Sequence, residues 1–369
     1  MGQTPLADRL AEFPWDRLTE ARSRAESHAG GIVDLSIGTP VDPVPAVVQN
    51  ALAAASDAPG YPTVVGRPEL REAAVAWMDR RLGVPSDLVG PDAVIPAIGT
   101  KELVATLPFL LGLGPGDRVV VPELAYPTYE VGARAVAADV VASDSTTALG
   151  PAGVSLVWIN SPGNPTGQVL GVEHLRKVVD WARGRGAVVV SDECYIELGW
   201  DEHPVSVLHP DVCGGSTGGL LALHSLSKRS NMAGYRAGFV AGDAPLVGSL
   251  LAARKHLGAM MPLPVQAAMT AALDDDAHLV KQRSRYVARR ELLMAALRSA
   301  GFAIDHSEAG LYLWVTRDED CWQTVNWFAD RGVLVAPGDF YGTRGTRHVR
   351  VALTASDERV ESGATRIAA

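Results

Sequence analysis

Short apolar runs alternate with amphipathic stretches along the first two thirds of the chain. Continuous hydrophobicity over a few residues is typical of strands buried on both faces of a sheet, and it predicts strands at 93–98, 118–121, 155–159, 187–191, 220–223 and 238–241. Helical periodicity fills several of the intervals, for example at 101–111 and 175–185. Strands that alternate with helices predict an α/β fold with a mainly parallel sheet between helices.

The pattern changes after residue 263. A long helical pattern covers 265–274 and 277–300, and two strand-like pieces, 310–315 and 348–353, flank an amphipathic stretch at 321–331. These elements predict a smaller α+β domain beside the first. We therefore expect an N-terminal arm that joins the small domain at 1–35, a large domain at 36–263 and a small C-terminal domain at 264–369.

Composition and charge limit the classes of partner. The formal net charge of −9 argues against nucleic acid and anionic membrane, because binding to phosphates needs a basic surface. The chain has no uninterrupted apolar run of about 18 residues, which a membrane-spanning helix requires. Charged side chains among the first eighteen residues rule out the apolar stretch of a secretion signal, so the composition predicts a cytoplasmic protein.

The cysteines do not indicate a metal site or a disulfide framework. Cys194, Cys213 and Cys321 lie far apart and form no Cys-x-x-Cys pair. We expect inert thiols in a reducing compartment and no bound metal.

A lysine follows one of the predicted buried strands. Lys228 lies in the segment Ser225-Leu226-Ser227-Lys228, and partial desolvation of its amine would lower its pKa and free the lone pair for imine formation. Arg236 offers a planar fork suited to a phosphate dianion, and Ser225 and Ser227 offer hydroxyl donors to the same group. Taken alone, this segment is equally consistent with a solvated polar loop.

Two further strands end in polar residues. Asp192 closes the run Val188–Ser191, and a carboxylate at the carboxyl end of a parallel strand lies at the ligand-binding edge of the sheet. The Asp192 carboxylate can pair with a protonated ring nitrogen, and Tyr195 lies three residues further along the chain. The ordinary alternative for Asp192 is the role of a helix N-cap. Asn164 lies in a turn rich in proline and glycine, which fixes its side chain against a flat ligand.

Residues at two other strand ends complete the pattern. Gly99-Thr100-Lys101 joins a strand to a helix, where backbone N–H groups form a phosphate cup; we expect the Lys101 side chain to face solvent. Tyr126 is a candidate to stack on an aromatic ligand, or else packs as an ordinary core residue.

These motifs together resemble the fold-type I aminotransferases, which depend on pyridoxal phosphate. The resemblance rests on Gly60-Tyr61-Pro62, Asn164-Pro165-Thr166-Gly167, Asp192-x-x-Tyr195, Ser225-x-Ser227-Lys228 and Arg236, in the family's order and spacing. Each motif is weak alone, but the set is specific and spans 32–353. It implies a large domain with a mainly parallel seven-stranded sheet between helices, and a smaller α+β domain.

The resemblance also implies roles for single residues. Lys228 would hold the cofactor through an imine, Asp192 would pair with the pyridinium nitrogen, and Tyr126 would stack on the ring. Asn164 and Tyr195 would contact its phenolic oxygen. The phosphate would be held by Thr100, the backbone of Lys101, Ser225, Ser227 and Arg236.

Four residues carry roles that rest mainly on the family. Tyr61 is similar to the tyrosine that reaches the partner's phosphate across a dimer interface, which implies a homodimer. Arg350 is similar to the arginine that binds the substrate α-carboxylate, with Gly38 and Asn164 beside it. The implied reaction is a ping-pong exchange between an amino acid and a 2-oxo acid, in which Lys228 moves the Cα proton.

Longer stretches resemble the actinobacterial N-succinyldiaminopimelate aminotransferases of lysine biosynthesis. They are 13–16, 38–43, 306–314 and 336–342. The resemblance implies glutamate and 2-oxoglutarate as one substrate pair. A succinylated substrate needs a distal cation, for which Arg17, Lys255 and Arg344 are unranked candidates.

Other functions on the same scaffold stay open. Aspartate, alanine or aromatic aminotransferases and C–S lyases would share Lys228, Asp192 and Arg236. A cofactor-binding DNA regulator is disfavoured because no basic helix-turn-helix segment precedes residue 32.

Overall fold

The computed structural model describes residues 5–10, 12–150 and 153–369, so 1–4 and 11 of the predicted N-terminal arm lie outside the described residues. The strands are β1 (Val33–Asp34), β2 (Val94–Ile98), β3 (Arg118–Val121), β4 (Asp139–Ala142), β5 (Leu156–Asn160), β6 (Val188–Asp192), β7 (Leu220–Ser225), β8 (Ala237–Gly242), β9 (Ala303–Asp305), β10 (Tyr312–Thr316), β11 (Val333–Leu334), β12 (Ala336–Pro337) and β13 (Val349–Ala352).

The helices lie mostly between these strands. They are α1 (Leu6–Arg9), α2 (Thr19–Glu26), α3 (Ala46–Ala54), α4 (Pro68–Leu82), α5 (Thr100–Leu110), α6 (Thr128–Ala135), α7 (Val172–Arg183), α8 (Pro210–Cys213), α9 (Leu226–Arg229), α10 (Ala244–Leu257), α11 (Leu263–Asp274), α12 (Ala277–Ser299), α13 (Cys321–Ala329) and α14 (Asp357–Ala368). No helix in the described ranges combines the length and apolar character needed to cross a membrane.

A seven-stranded sheet in the order β2-β8-β7-β6-β5-β3-β4 forms the centre of the large unit. The strands from β3 to β7 pair in parallel, whereas β8 is antiparallel to both β2 and β7. The predicted mainly parallel sheet is therefore confirmed. The sequence pattern missed β4, because this strand lies at the sheet edge and its residues are partly exposed rather than continuously buried.

Side chains of the central strands point alternately to two cores. On β7, Leu221 and Leu223 pack with residues of α5, α6 and α10, whereas Leu220 and Ala222 pack with α4, α7 and α11. Burial on both faces explains why these strands read as continuous apolar runs in the sequence.

The smaller unit is built on a second sheet in the order β12-β13-β10-β9, and β1 pairs with β11 beside it. Leu313 of β10 and Val351 of β13 share a core with Tyr286 of α12 and Phe328 of α13. The predicted strands 310–315 and 348–353 correspond to β10 and β13.

The packing of α11 bears on the boundary between the two units. Met269 and Leu273 of this helix belong to the core beneath the large sheet, and α11 packs on α3 and α4. We therefore propose that the large unit extends to Asp274 and that the small unit resumes at Ala277, rather than at 264.

Candidate active site

A cavity of about 390 Å³ lies where the carboxyl ends of the parallel strands meet the small unit. Parallel pairing aligns these ends, since Asn160 of β5 is the register partner of Asp192, which in turn faces Leu223 of β7. The cavity is lined by every predicted site residue except Tyr61, namely Gly38, Thr100, Lys101, Tyr126, Asn164, Asp192, Tyr195, Ser225, Ser227, Lys228, Arg236 and Arg350.

Lys228 reaches into this cavity from the short helix α9, directly after β7. Its Nζ donates a hydrogen bond to the carbonyl oxygen of Gly38. Burial lowers the pKa of the Lys228 amine, and nearby Arg350 and Arg236 act in the same direction. A lowered pKa raises the fraction of neutral amine, which is the nucleophilic form.

Asp192 is buried at the end of β6 and is held by neutral donors. Its Oδ2 accepts from the Tyr129 hydroxyl at 2.8 Å, and its Oδ1 accepts from the Cys194 backbone N–H at 3.2 Å. Burial raises the pKa of Asp192, while these hydrogen bonds and the charge of Lys228 oppose that rise. A buried carboxylate held by neutral groups fits a protonated ring nitrogen as its counter-charge.

The part of the cavity wall at the start of α5 suits a phosphate. Gly99 precedes α5 with φ +74°, and a Cβ on it would lie 2.1 Å from Nη2 of Arg236, so only glycine fits there. The first backbone N–H groups of α5, at Thr100 and Lys101, therefore lie beside this guanidinium. Ser225 and Ser227 are buried in the same wall, and Ser225 Oγ accepts from the Ser227 N–H at 3.2 Å.

Arg350 enters the cavity from β13 and is 2% exposed. Its Nη1 donates to Asn164 Oδ1 and its Nη2 to the Ser36 carbonyl, both at 2.7 Å, while its Nε is buried without a partner. The guanidinium lies 3.9 Å from the centroid of the Tyr312 ring. A rigid strand and a stacked aromatic ring fix the orientation needed to bind a carboxylate with both nitrogens.

Two tyrosines connect the large and small units across the cavity. The hydroxyls of Tyr195 and Tyr312 are 2.9 Å apart. Burial raises the pKa of Tyr195 well above its usual value, so this hydroxyl stays protonated at neutral pH. Tyr312 also limits position 38, because a Cβ on Gly38 would lie 2.1 Å from its hydroxyl oxygen.

Sequence reasoning missed several residues of the cavity wall. Cys194 was expected to be inert, yet it lines the cavity two residues after Asp192, a spacing that predicts the same face of an extended segment. Tyr129, one helical turn after Tyr126, offered a similar signal. Tyr312 comes from a distant strand of the small unit, and no local pattern points to it.

The predicted distal cations lie elsewhere. Arg17 forms an ion pair with Asp339, Arg344 forms one with Glu123, and Lys255 is exposed on α10, and none of the three lines this cavity. Lys101 does line it, as does Phe13. Its Nζ lies 5.5 Å from the centroid of Phe13, so this exposed lysine faces the cavity mouth as well as solvent.

Tyr61 does not reach the site of its own chain. Its side chain is 94% exposed, the highest value among the large apolar side chains that remain at the surface of the described chain.

Comparisons with known proteins agree with this geometry. The family model for aminotransferase class I and II matches residues 31–367. A "probable aminotransferase" of Mycobacterium tuberculosis is 63% identical, over 97% of this chain and 85% of its own length. The 4-dedimethylamino-4-oxo-anhydrotetracycline transaminase OxyQ of Streptomyces rimosus is 58% identical, over 97% of this chain and 99% of its own.

A solved structure extends the comparison to the fold. It is a probable N-succinyldiaminopimelate aminotransferase from Thermus thermophilus, which superposes with a TM-score of 0.85 at 27% identity and covers 96% of this chain and 99% of its own. The chain belongs to the class I and II aminotransferases, enzymes of fold type I that use pyridoxal 5'-phosphate to exchange an amino acid with a 2-oxo acid.

Proposed function

We propose that this aminotransferase exchanges the amino group between N-succinyl-LL-2,6-diaminopimelate and 2-oxoglutarate, with glutamate as the other amino acid. The observation that carries the proposal is the placement of two cations on one cavity, Arg350 buried at its inner wall and Lys101 at its mouth. A substrate with an α-carboxylate and a remote carboxylate matches this separation of charge. The stretches that resemble the lysine-pathway enzymes support the same choice, as does the similarity to the probable N-succinyldiaminopimelate aminotransferase of Thermus thermophilus.

The proposed roles of the chain's residues follow from their environments. When bound, pyridoxal phosphate supplies an electron-withdrawing ring that stabilises negative charge at the substrate Cα. Asp192 would hold the proton on the ring nitrogen, and Arg236, Ser225, Ser227 and the start of α5 would hold the phosphate. Lys228, whose pKa is lowered by burial, would take the proton from the substrate Cα at its Nζ and carry it to the cofactor.

Lys101 replaces the earlier candidates as the proposed distal cation. Beside it, Phe13 and Trp15 line the cavity mouth, and the indole Nε1 of Trp15 is buried without a hydrogen-bond partner. An acyl carbonyl accepts such a hydrogen bond, and a terminal carboxylate pairs with the lysine. The succinyl group offers both.

Amination of a polycyclic ketone is the second candidate. It is favoured by the 58% identity to OxyQ, a transaminase named for a tetracycline-type ketone, and by the aromatic side chains of Phe13 and Trp15 at the mouth. Flat rings stack on such side chains. The two candidate substrates differ in one respect: the succinylated substrate carries a remote carboxylate that pairs with Lys101, whereas binding of a polycyclic ketone does not depend on such a group.

The first experiment compares substrates on the purified enzyme with added pyridoxal phosphate. We expect glutamate and N-succinyl-LL-diaminopimelate to react with a kcat/KM at least about tenfold above that of aspartate, alanine or phenylalanine. Absorbance of the cofactor follows each reaction, and Lys228→Ala is the inactive control. A faster reaction with another donor would refute the substrate assignment, and release of pyruvate and ammonia without an acceptor would indicate a lyase.

Lys101→Met tests the distal cation. We expect KM for the succinylated substrate to rise about tenfold, because the neutral side chain leaves the remote carboxylate unpaired. Alanine, which lacks a remote carboxylate, should react at an unchanged rate. Lys255→Met, an exposed lysine outside the cavity, is the matched control. Equal KM values for Lys101→Met and wild type would exclude this role.

Tyr129→Phe tests the support of Asp192. Loss of the hydroxyl donor raises the pKa of Asp192 further, so less of it is ionised in mild acid. We expect the acidic limb of the kcat/KM profile to move to higher pH, with activity approaching wild type at alkaline pH. Tyr341→Phe, which removes a buried hydroxyl that has no hydrogen-bond partner, should leave the profile in place. Identical profiles for Tyr129→Phe and wild type would contradict the assignment.

A homodimer is the proposed active unit, with Tyr61 completing the phosphate site of the partner subunit. Its 94% exposure leaves the hydroxyl free for such a contact. Sedimentation of the purified enzyme should show a dimer. The Tyr61→Phe variant should bind the cofactor several-fold more weakly and should remain a dimer. A monomer with full activity would refute this proposal.

The cytoplasmic location stays a prediction from the sequence.

A further inference from the structure

Residues 36–43 form one wall of the active-site cavity, and we call them the wall segment. Ile37, Gly38 and Thr39 line the cavity, and the Gly38 carbonyl accepts from Lys228 Nζ. Gly38 also lies against the Tyr312 hydroxyl with no room for a Cβ. A shift of this segment therefore changes the shape of the substrate site directly.

The upstream end of the wall segment is fixed by the small unit. Arg350 donates to the Ser36 carbonyl at 2.7 Å, and Thr354 Oγ1 donates to the Ile37 carbonyl at 2.9 Å. These bonds come from β13 and the loop after it. They hold the segment before Gly38 but leave the part after Thr39 to other contacts.

The downstream end is fixed by one buried carboxylate. Asp42 accepts from Nη1 and Nη2 of Arg289 at 2.8 and 2.6 Å, and from Gln282 Nε2 at 2.7 Å. The side chains of Asp42 and Arg289 are 8% and 2% exposed. Gln282 and Arg289 are seven residues apart on α12, so they share one face of that helix.

The same cluster reaches the turn that carries the catalytic lysine. Asn231 Nδ2 donates to Gln282 Oε1 at 3.0 Å and to the Pro43 carbonyl at 3.2 Å. Asn231 follows α9, the helix of Lys228, by two residues. The cluster of Asp42, Arg289, Gln282 and Asn231 thus connects the wall segment, α12 and the lysine turn.

We propose that Asp42 is a positioning residue, which through Arg289 and Gln282 sets the place of the wall segment and thereby the affinity for the amino-acid substrate. Arg289 also bonds Asp357 of α14 through its Nε at 2.6 Å. Loss of Asp42 therefore leaves the buried arginine with one carboxylate partner, and the helices stay joined. The wall segment loses its main downstream attachment and keeps only the hydrogen bond from Asn231 to the Pro43 carbonyl.

Asp357 provides a matched comparison. Both carboxylates bind the same guanidinium, but Asp357 is 58% exposed on α14 and does not belong to the wall segment. If Arg289 has a purely structural role, Asp42→Asn and Asp357→Asn should change KM and kcat to a similar extent. A positioning role predicts that only Asp42→Asn changes substrate binding.

The test measures kcat and KM for the holoenzyme of each variant. The amino donor is whichever of glutamate, aspartate, alanine, phenylalanine and N-succinyl-LL-diaminopimelate reacts best with wild type, so the outcome does not depend on the substrate proposed above. For Asp42→Asn we expect KM to rise about tenfold or more and kcat to change less than about threefold. For Asp357→Asn we expect KM within about twofold of wild type.

Gln282→Leu supplies a second variant that leaves no charge unpaired. It removes one hydrogen bond to Asp42 and the link to Asn231, and we expect a rise of KM of about threefold with kcat unchanged. If Asp42→Asn fails to fold, the KM of Gln282→Leu tests the proposal in its place. Equal KM values for the Asp42 and Asp357 variants, a loss confined to kcat, or an unchanged KM in Gln282→Leu would each overturn the proposal.

Discussion

The parallel hydrogen bonding of β5, β6 and β7 is the constraint on which the site depends. Because all three strands run the same way in register, Asn160, Asp192 and the residues after Leu223 arrive at one edge of the sheet. The chain between these strands consists of helices that cover the two faces. Residues separated by dozens of positions in the sequence therefore become neighbours without any local signal between them.

Burial at this edge of the sheet influences the charge states of Asp192 and Lys228. The same desolvation raises the pKa of Asp192 and lowers that of Lys228, so each group moves towards its neutral form. On the opposite face of the same strands, burial raises the pKa of Glu193 to about 7 and lowers that of His224 to about 3. Alternation at the ends of β6 and β7 thus places ionisable groups on both faces, and on the face away from the cavity Glu193 accepts a hydrogen bond from the Val207 N–H and lies 3.7 Å from His224 Nε2.

The fold was largely predictable because burial on both faces leaves continuous apolar runs, and the site was partly predictable because strand ends are marked by polar residues. The pattern failed where burial was incomplete, as at β4, and where a partner came from the other unit, as with Tyr312. Lys101 is exposed, but a sequence does not show that Phe13, which lines the cavity, lies 5.5 Å from its amine. The later boundary proposed at Asp274 rests on the packing of α11 beneath the large sheet, which the sequence does not show because α11 and α12 form a nearly continuous helical pattern.

The reversal of β8 within the sheet has a consequence for how the enzyme can vary. Since β8 runs against β7, its first residue lies at the edge where β7 ends, and Ser225 is the register partner of Gly238. The connection between them begins and ends at the cavity, and it carries both Lys228 and Arg236. Any insertion or deletion in this connection would move the lysine relative to the arginine. A change of substrate preference that keeps these two side chains in place must therefore come from other segments of the cavity wall.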